Sequence, residues 1–225
     1  ACCLAQLIAR FGYQIAYLSP LLHIKVRHVQ EFIAMPSPIA HSVTGYALTR
    51  LPFLKTKLTQ AQKRHKIISR LSAVAPLLTV YGIFVSNIPD LDFLPQVITG
   101  LPFHRGPSHS LFVAVVISAL LAWPVHKLQK QLGYKTIFGS TLCLYGAHLF
   151  LDLFTSGGKG VPLLWPLSDV GFRAPFPLFP PVHHSRGLWD KSHIVFAIAE
   201  LIYAIGLLTG LNRLKVKTRP KKVAS

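Results

Sequence analysis

Long apolar runs alternate with short polar segments along most of the chain. Four runs approach or reach the roughly 20 apolar residues that a membrane-spanning helix needs, at 71–89, 109–125, 136–151 and 194–212. A fifth run, 38–51, is uncharged up to Arg50 but contains Ser, Thr, Gly and His, so it fits either a span or a helix at the membrane surface. The pattern predicts an all-α, multi-pass membrane protein with four or five transmembrane helices.

Composition and charge placement support this class. Hydrophobic residues make up 51% of the 225 residues and charged residues only 14%, which excludes an ordinary soluble domain. The net charge of +17 suggests nucleic acid as a partner, but the basic residues lie in blocks between apolar runs. We therefore expect the bilayer, and not nucleic acid, to be the partner.

The basic blocks also predict the orientation of the chain. Sixteen Lys and Arg residues lie in 50–70, 126–135 and 213–225, whereas five lie in the two opposite loops, 89–108 and 155–193. Because basic residues stay on the cytoplasmic side, we expect 213–225 to form a cytoplasmic tail. The loops 89–108 and 155–193 are then extracytoplasmic.

The beginning of the chain has a different character. It starts at Ala1, and its only methionine is Met35. Residues 1–34 show neither a signal-peptide layout nor a clear spanning run, so we interpret them as an extension that precedes a natural start at Met35. The alternative is a genuine segment that lacks its first residues. The membrane domain is then 35–212.

Acidic and imidazole side chains are concentrated in the segment PDLDFLPQVITGLPFHRGPSHS, residues 89–110. Asp90 and Asp92 follow the 71–89 run, and His109 precedes the next run. Since one helix leaves the membrane where the next re-enters it, we expect these side chains to lie close together. Ser108 is predicted to cap the re-entering helix.

Two further spans bring similar groups to the same membrane face. His148 and Asp152 are four residues apart and share one face of a helix. If the 38–51 run spans the membrane, His41 also lies near that face. Imidazole and carboxylate suit zinc, and also manganese or iron. Taken singly, these motifs also fit turns, helix ends, interfacial anchors or hydrogen-bonded pairs, but together they predict a metal site at the outer face.

The order of these motifs resembles a known family. His41, PDLD, HRGPSHS and HLFLDLFTSGGKGVPLLWP are similar to the bacterial membrane-bound, metal-dependent hydrolases of the YdjM-like family. The resemblance implies an inner-membrane location, a hydrolase activity and a start just before the His41 helix. Its implied site residues are His41, Asp90, Asp92, His104, His109, His148 and Asp152. Ser108 stands where Thr is common, and TSGGKGVP is longer than the usual turn.

These residues can be given expected roles. The predicted ion is Zn²⁺, with Mn²⁺ or Fe²⁺ as alternatives, and its predicted ligands are His41, Asp90, His109, His148 and Asp152. Asp92 is expected to act as a general base or to orient a ligand imidazole, and His104 to act as a general acid. Arg105 suits an anionic oxygen such as a phosphate, or alternatively anchors the chain at lipid headgroups.

The predicted function is hydrolysis of an ester or phosphoester bond in a lipid-like or envelope substrate. The alternative is a non-enzymatic membrane protein, either a metal-binding scaffold or a carrier. A carrier is expected to place ionisable groups deep in its spans. Glu200 is the only such residue, and it fits an interhelical hydrogen bond or a further ligand. The oligomeric state is not predicted.

Overall fold

The computed structural model describes residues 38–51, 71–99, 104–130, 132–156, 159–181 and 190–217. The predicted extension 1–34 lies outside these residues. The described chain is all-helical and contains no strand. Its six α-helices are α1 (Pro38–Arg50), α2 (Leu71–Asn87), α3 (Phe93–Thr99), α4 (Leu111–Leu128), α5 (Tyr134–Leu153) and α6 (Lys191–Lys217).

Three of these helices are long and apolar enough to cross a membrane, namely α4, α5 and α6. A fourth span results if Pro76–Asn87 and Pro89–Pro95, which meet at an angle of 48°, are taken together. The described residues thus provide three or four candidate spans. The possible fifth span, α1, has 13 residues, and at 1.5 Å per residue it covers only about 20 Å of a hydrocarbon layer about 30 Å thick.

Small residues allow α1 and α2 to pack closely. A Cβ atom on Gly45 would lie 2.5 Å from the carbonyl oxygen of Gly82, and one on Gly82 would lie 3.1 Å from that of Gly45. Close backbone approach at glycine is a common way for helices to associate where water does not drive packing. The contact fixes the position of α1 against α2.

A second set of contacts joins α1 to α6. Glu200 is buried and accepts a hydrogen bond of 3.3 Å from the backbone N–H of Ala40, in the first turn of α1. The hydroxyls of Tyr203 and Thr44 are 2.7 Å apart. Glu200 therefore makes the interhelical hydrogen bond that was one of its two predicted roles.

The bundle has two chemically different ends. At one end, which we call the cluster end, α2 and α5 finish and α1 and α4 begin. At the opposite or basic end, α1 and α4 finish at Arg50 and close to Lys127, and α5 begins near Lys135. The predicted site residues all lie at the cluster end.

Candidate metal centre

Three elements deliver fully buried polar side chains to one point at the cluster end. His41 comes from the first turn of α1, His109 from the segment before α4, and His148 and Asp152 from the last turns of α5. Their relative exposures are 0% for His41 and His109 and 1% for His148 and Asp152. Ionisable groups are rarely buried to this extent without partners.

The segment 89–110 reaches the site through two short 3-10 helices. Pro89–Asp92 continues from α2 and presents Asp90 and Asp92, while Pro107–His109 precedes α4 and presents His109. The capping prediction was wrong by two residues. The hydroxyl of Ser110 accepts the hydrogen bond from the N–H of Val113 and caps α4, whereas Ser108 donates to Oδ2 of Asp92. The 3-10 turn displaces the helix start and leaves Ser108 facing the site.

The two central imidazoles point their Nε2 atoms at the same place. Nε2 of His109 lies 3.3 Å from Nε2 of His148, 3.6 Å from Oδ1 of Asp90 and 3.2 Å from Oδ2 of Asp152. Nε2 of His148 lies 3.4 Å from Oδ1 of Asp90 and 3.7 Å from Oδ2 of Asp152. Donor atoms around a tetrahedral ion with bonds of 2.0–2.2 Å are about 3.3–3.6 Å apart. The observed spacings match this range closely.

Hydrogen bonds at the opposite ring nitrogens fix the tautomers that such a site needs. Nδ1 of His148 is 2.7 Å from the backbone carbonyl oxygen of Ser86, which can only accept, so this nitrogen carries the proton. Nδ1 of His109 is 3.2 Å from Oδ2 of Asp92 and 3.0 Å from the Ser108 hydroxyl. In their neutral forms, both rings would therefore present an unprotonated Nε2 to the centre, as in many metal sites.

Asp92 lies outside the central group of donor atoms and contacts His104, Ser108 and His109. Its Oδ1 is 2.9 Å from Nδ1 of His104, and its Oδ2 accepts from Ser108 and approaches His109. The carboxylate is partly accessible, at 13%, as is the side chain of His104, at 9%. Asp90, whose side chain is also 9% accessible, belongs with Asp92 and His104 to the more open edge of the site.

Two further side chains contact Asp152. Nε2 of His41 is 3.4 Å from Oδ1 of Asp152, and its ring stacks on that of His148 with centroids 3.7 Å apart. Arg105 places its Nε 3.7 Å from Oδ2 of Asp152 and donates to the hydroxyl of Thr155. Each carboxylate oxygen of Asp152 therefore contacts a basic side chain, His41 at Oδ1 and Arg105 at Oδ2.

Arg105 adopts an unusual conformation to reach this position. Its φ is +55°, in the left-handed region that non-glycine residues seldom occupy, and its exposure is 5%. Such conformations are found where surrounding contacts over-determine the backbone, often at functional sites. The guanidinium is buried against Asp152 and Thr155.

The charges of the cluster are unbalanced without a cation. Asp90, Asp92 and Asp152 face one guanidinium, so with neutral imidazoles two negative charges remain in excess. Neither oxygen of Asp90 or of Asp152 makes a hydrogen bond of normal geometry within the described residues, although all four are buried. Isolated buried carboxylates are very costly, and a divalent ion would offset this cost.

The pKa of His109 also indicates that the carboxylates favour positive charge in the site. Burial alone would lower its pKa, but contacts with Asp152, Asp90 and Asp92 outweigh burial and raise the pKa of His109 well above its usual range. The carboxylates therefore stabilise positive charge at this imidazole. A cation held by the same carboxylates would meet this demand in place of the proton.

Three overlapping groups of side chains have the spacing of metal ligands. They are His41, His148 and Asp152; Asp90, His109 and His148; and Asp92, His104 and His109. All seven histidines and aspartates expected at the site therefore belong to one cluster. The donor set of nitrogen and oxygen atoms fits zinc, manganese or iron.

Sequence reasoning did not identify three supporting groups. The backbone carbonyl of Ser86 orients His148, the hydroxyl of Tyr145 donates to the carbonyl oxygen of Ser108 at 2.6 Å, and Thr155 holds Arg105. Tyr145 precedes His148 by three residues and shares its helix face, which is a usable signal. A backbone carbonyl has no signature in the sequence, so Ser86 could not have been found in this way.

Comparison with known proteins agrees with the inner-membrane character of the chain. The curated protein described as inner membrane protein YbcI, from Escherichia coli (strain K12), is 35% identical over 136 residues, which are 58% of this chain and 78% of the relative. No solved structure matches the chain. The profile of the family described as YdjM inner membrane protein matches residues 35–215. The resemblance drawn from the His and Asp motifs is thereby confirmed, and the chain belongs to the YdjM inner membrane protein family.

Proposed function

We propose that the protein is an integral-membrane, metal-dependent hydrolase that cleaves an ester or phosphoester bond of a lipid-like or envelope substrate. The observation that carries the proposal is the convergence of Asp90, His109, His148 and Asp152. Five of the six distances between their donor atoms, all but that between Asp90 and Asp152, are 3.2–3.7 Å, and the neutral imidazoles would present Nε2 to the ion. Such an ion, when bound, supplies a Lewis acid and an acidified water.

The charge balance favours a single divalent ion. One such ion neutralises the two excess negative charges, whereas a second would leave the buried site positive beside Arg105. We assign the ion to Asp90, His109, His148 and Asp152, with Zn²⁺ as the first candidate. His41 then holds the outer oxygen of Asp152, and it becomes a ligand only if the carboxylate shifts.

The remaining side chains supply the other parts of a hydrolytic site. Asp92 orients His109 and, because it also binds His104, it can pass a proton between the site and this partly accessible imidazole. Arg105 has a planar, permanently charged guanidinium that suits an anionic oxygen of the substrate. This arrangement supports a phosphoester more than a neutral ester.

We also propose an orientation of the protein in the membrane. The excess of Lys and Arg at the basic end favours a cytoplasmic position for that end. The cluster end would then face the outer side of the inner membrane, where envelope lipids are accessible.

The test is metal analysis combined with a substrate panel. We expect purified wild-type protein to retain about one equivalent of metal and to hydrolyse a member of a panel of phospholipids and polyprenyl phosphates when Zn²⁺ or Mn²⁺ is supplied. His109→Ala and Asp152→Ala should lose both metal and activity. His126→Ala, at the basic end, is the matched control and should behave like wild type. Equal metal retention in all four proteins would overturn the site assignment.

The alternative of a metal-binding scaffold or carrier is favoured by one observation, the near-complete burial of the three histidines. A bound ion without turnover of any panel member would support it. In that case His109→Ala would still lose the metal, so the site and the activity are tested separately.

A further inference from the structure

An apolar cavity begins at the basic end of the bundle and extends toward the candidate metal centre as far as Phe84 and Leu144. The cavity has a volume of about 360 Å³ and separates α2 from α4 and α5. Its wall runs from Leu77 to Phe84 on α2, which at 1.5 Å per residue is about 10 Å, and from Ile137 to Leu144 on α5. No role in the proposed hydrolysis involves this cavity.

The cavity is apolar and opens sideways. Several of its lining side chains are strongly exposed, including Leu77 at 59%, Val80 at 62% and Leu128 at 82%. The hydroxyl groups that line it are hydrogen-bonded within the protein, since Tyr81 pairs with Thr141, and Ser140 and Thr49 each donate to a carbonyl oxygen of their own helix. This lining suits a hydrocarbon chain that enters from the side of a membrane bundle.

A guanidinium lies beside this apolar space. Thr49 lines the cavity, and the following residue, Arg50, donates to the hydroxyl of Thr79, between two lining residues of α2. The Nε of Arg50 is buried and makes no hydrogen bond within the described residues. Its planar donor set fits a phosphate diester.

The sequence that follows Arg50, and that of the neighbouring helices, is basic and free of carboxylates. Segments 50–88, 111–151 and 201–225 contain no Asp or Glu but hold 16 Lys and Arg residues. Lys127, Lys130 and Lys135 are exposed near the ends of the helices that enclose the cavity. Basic pockets between membrane helices characteristically hold anionic lipid headgroups.

We propose that the cavity and Arg50 form a binding site for an anionic phospholipid. One acyl chain lies between α2, α4 and α5, and the phosphate contacts the Arg50 guanidinium. The exposed lysines add attraction for the headgroup. The site is independent of the metal centre and of the reaction proposed there.

The test is native mass spectrometry of delipidated protein with equal amounts of phosphatidylglycerol and phosphatidylcholine that carry the same acyl chains. Wild type should retain phosphatidylglycerol in preference. Arg50→Gln should lower the ratio of bound phosphatidylglycerol to phosphatidylcholine about fivefold, the weight of one basic side chain near an anionic headgroup. Ser140→Phe, which fills the cavity, should reduce retention of both lipids.

Matched controls separate the site from general effects. Arg213→Gln removes a basic side chain of α6 at the same end, and Ile205→Phe enlarges an exposed side chain of α6; both should behave like wild type. Arg50→Lys keeps the charge and should preserve most of the preference even if Arg50→Gln fails to fold. Equal retention of the two lipids by wild type, an equal effect of Arg213→Gln and Arg50→Gln, or unchanged retention in Ser140→Phe would each overturn the proposal.

Discussion

The Asp92→Asn variant tests whether Asp92 orients a ligand of the proposed ion or binds the ion itself. Asparagine keeps one oxygen, which can accept from Ser108 or from His104 but not from both, because these two groups contact different carboxylate oxygens. It also lacks the charge that lies 3.2 Å from Nδ1 of His109. Loss of such an outer-sphere partner typically weakens metal binding by about 10–100-fold, or about 1.4–2.7 kcal/mol. Asp92→Asn should therefore bind the metal more weakly but still bind it.

The Asp152→Asn variant is the comparison, because Asp152 is proposed to bind the ion directly. Asp152 contacts both central imidazoles. Its substitution would therefore remove a charge next to the proposed ion, and we expect metal binding to weaken by about 3–5 kcal/mol, more than a hundredfold in affinity. Competition with a chromophoric chelator in detergent measures both constants, and Asp169→Asn, in an exposed loop, is the control. If Asp92→Asn loses the metal as completely as Asp152→Asn, Asp92 is a ligand; if its affinity is unchanged, the coupling to His109 is refuted.

Three further predictions concern packing and the supporting contacts. Gly45→Ala should lower the free energy of unfolding by about 1–3 kcal/mol, because the added Cβ would meet the α2 backbone. Gly206→Ala is the control, since its Cβ would meet nothing within 4 Å, and it should be neutral or slightly stabilising in the same thermal unfolding assay. Tyr145→Phe should cost about 0.5–1.5 kcal/mol through the lost hydrogen bond to Ser108, measured by thermal unfolding; no change would mean that the bond is replaced. Arg105→Gln should retain metal but lose activity on anionic substrates, and a variant with undiminished kcat/KM would exclude a role for the guanidinium in substrate binding.

The sequence predicted the main architecture because its signals are local and strong. Apolar runs of 16–19 residues can be read directly, and α4 and α5 differ from the predicted 109–125 and 136–151 by only two or three residues at each end. The proximity of Asp90 to His109 followed from chain topology alone, since adjacent antiparallel helices bring their connected ends together. The spacing of His148 and Asp152 followed from the helical repeat.

Other features depend on tertiary contacts that a linear pattern does not contain. The close contact of α1 at Gly45 depends on packing against α2, which the polarity of 38–51 does not reveal. Ser110 replaces Ser108 as the cap because a 3-10 turn shifts the start of α4. The inward direction of Arg105 follows from one left-handed residue, which no composition rule identifies.

The distribution of polar groups along the bundle also bears on the choice between hydrolase and carrier. An ion that moved from the cluster toward the basic end would leave Asp152 and His148 and, within the described residues, next meet the hydrogen-bonded Tyr81 and Thr141 pair and then the apolar cavity. That half of the described bundle offers no carboxylate or imidazole until His126, near the basic end. Because a desolvated cation would find no carboxylate or imidazole over this distance, we favour an ion that stays in place and acts at the more open edge formed by Asp90, Asp92 and His104.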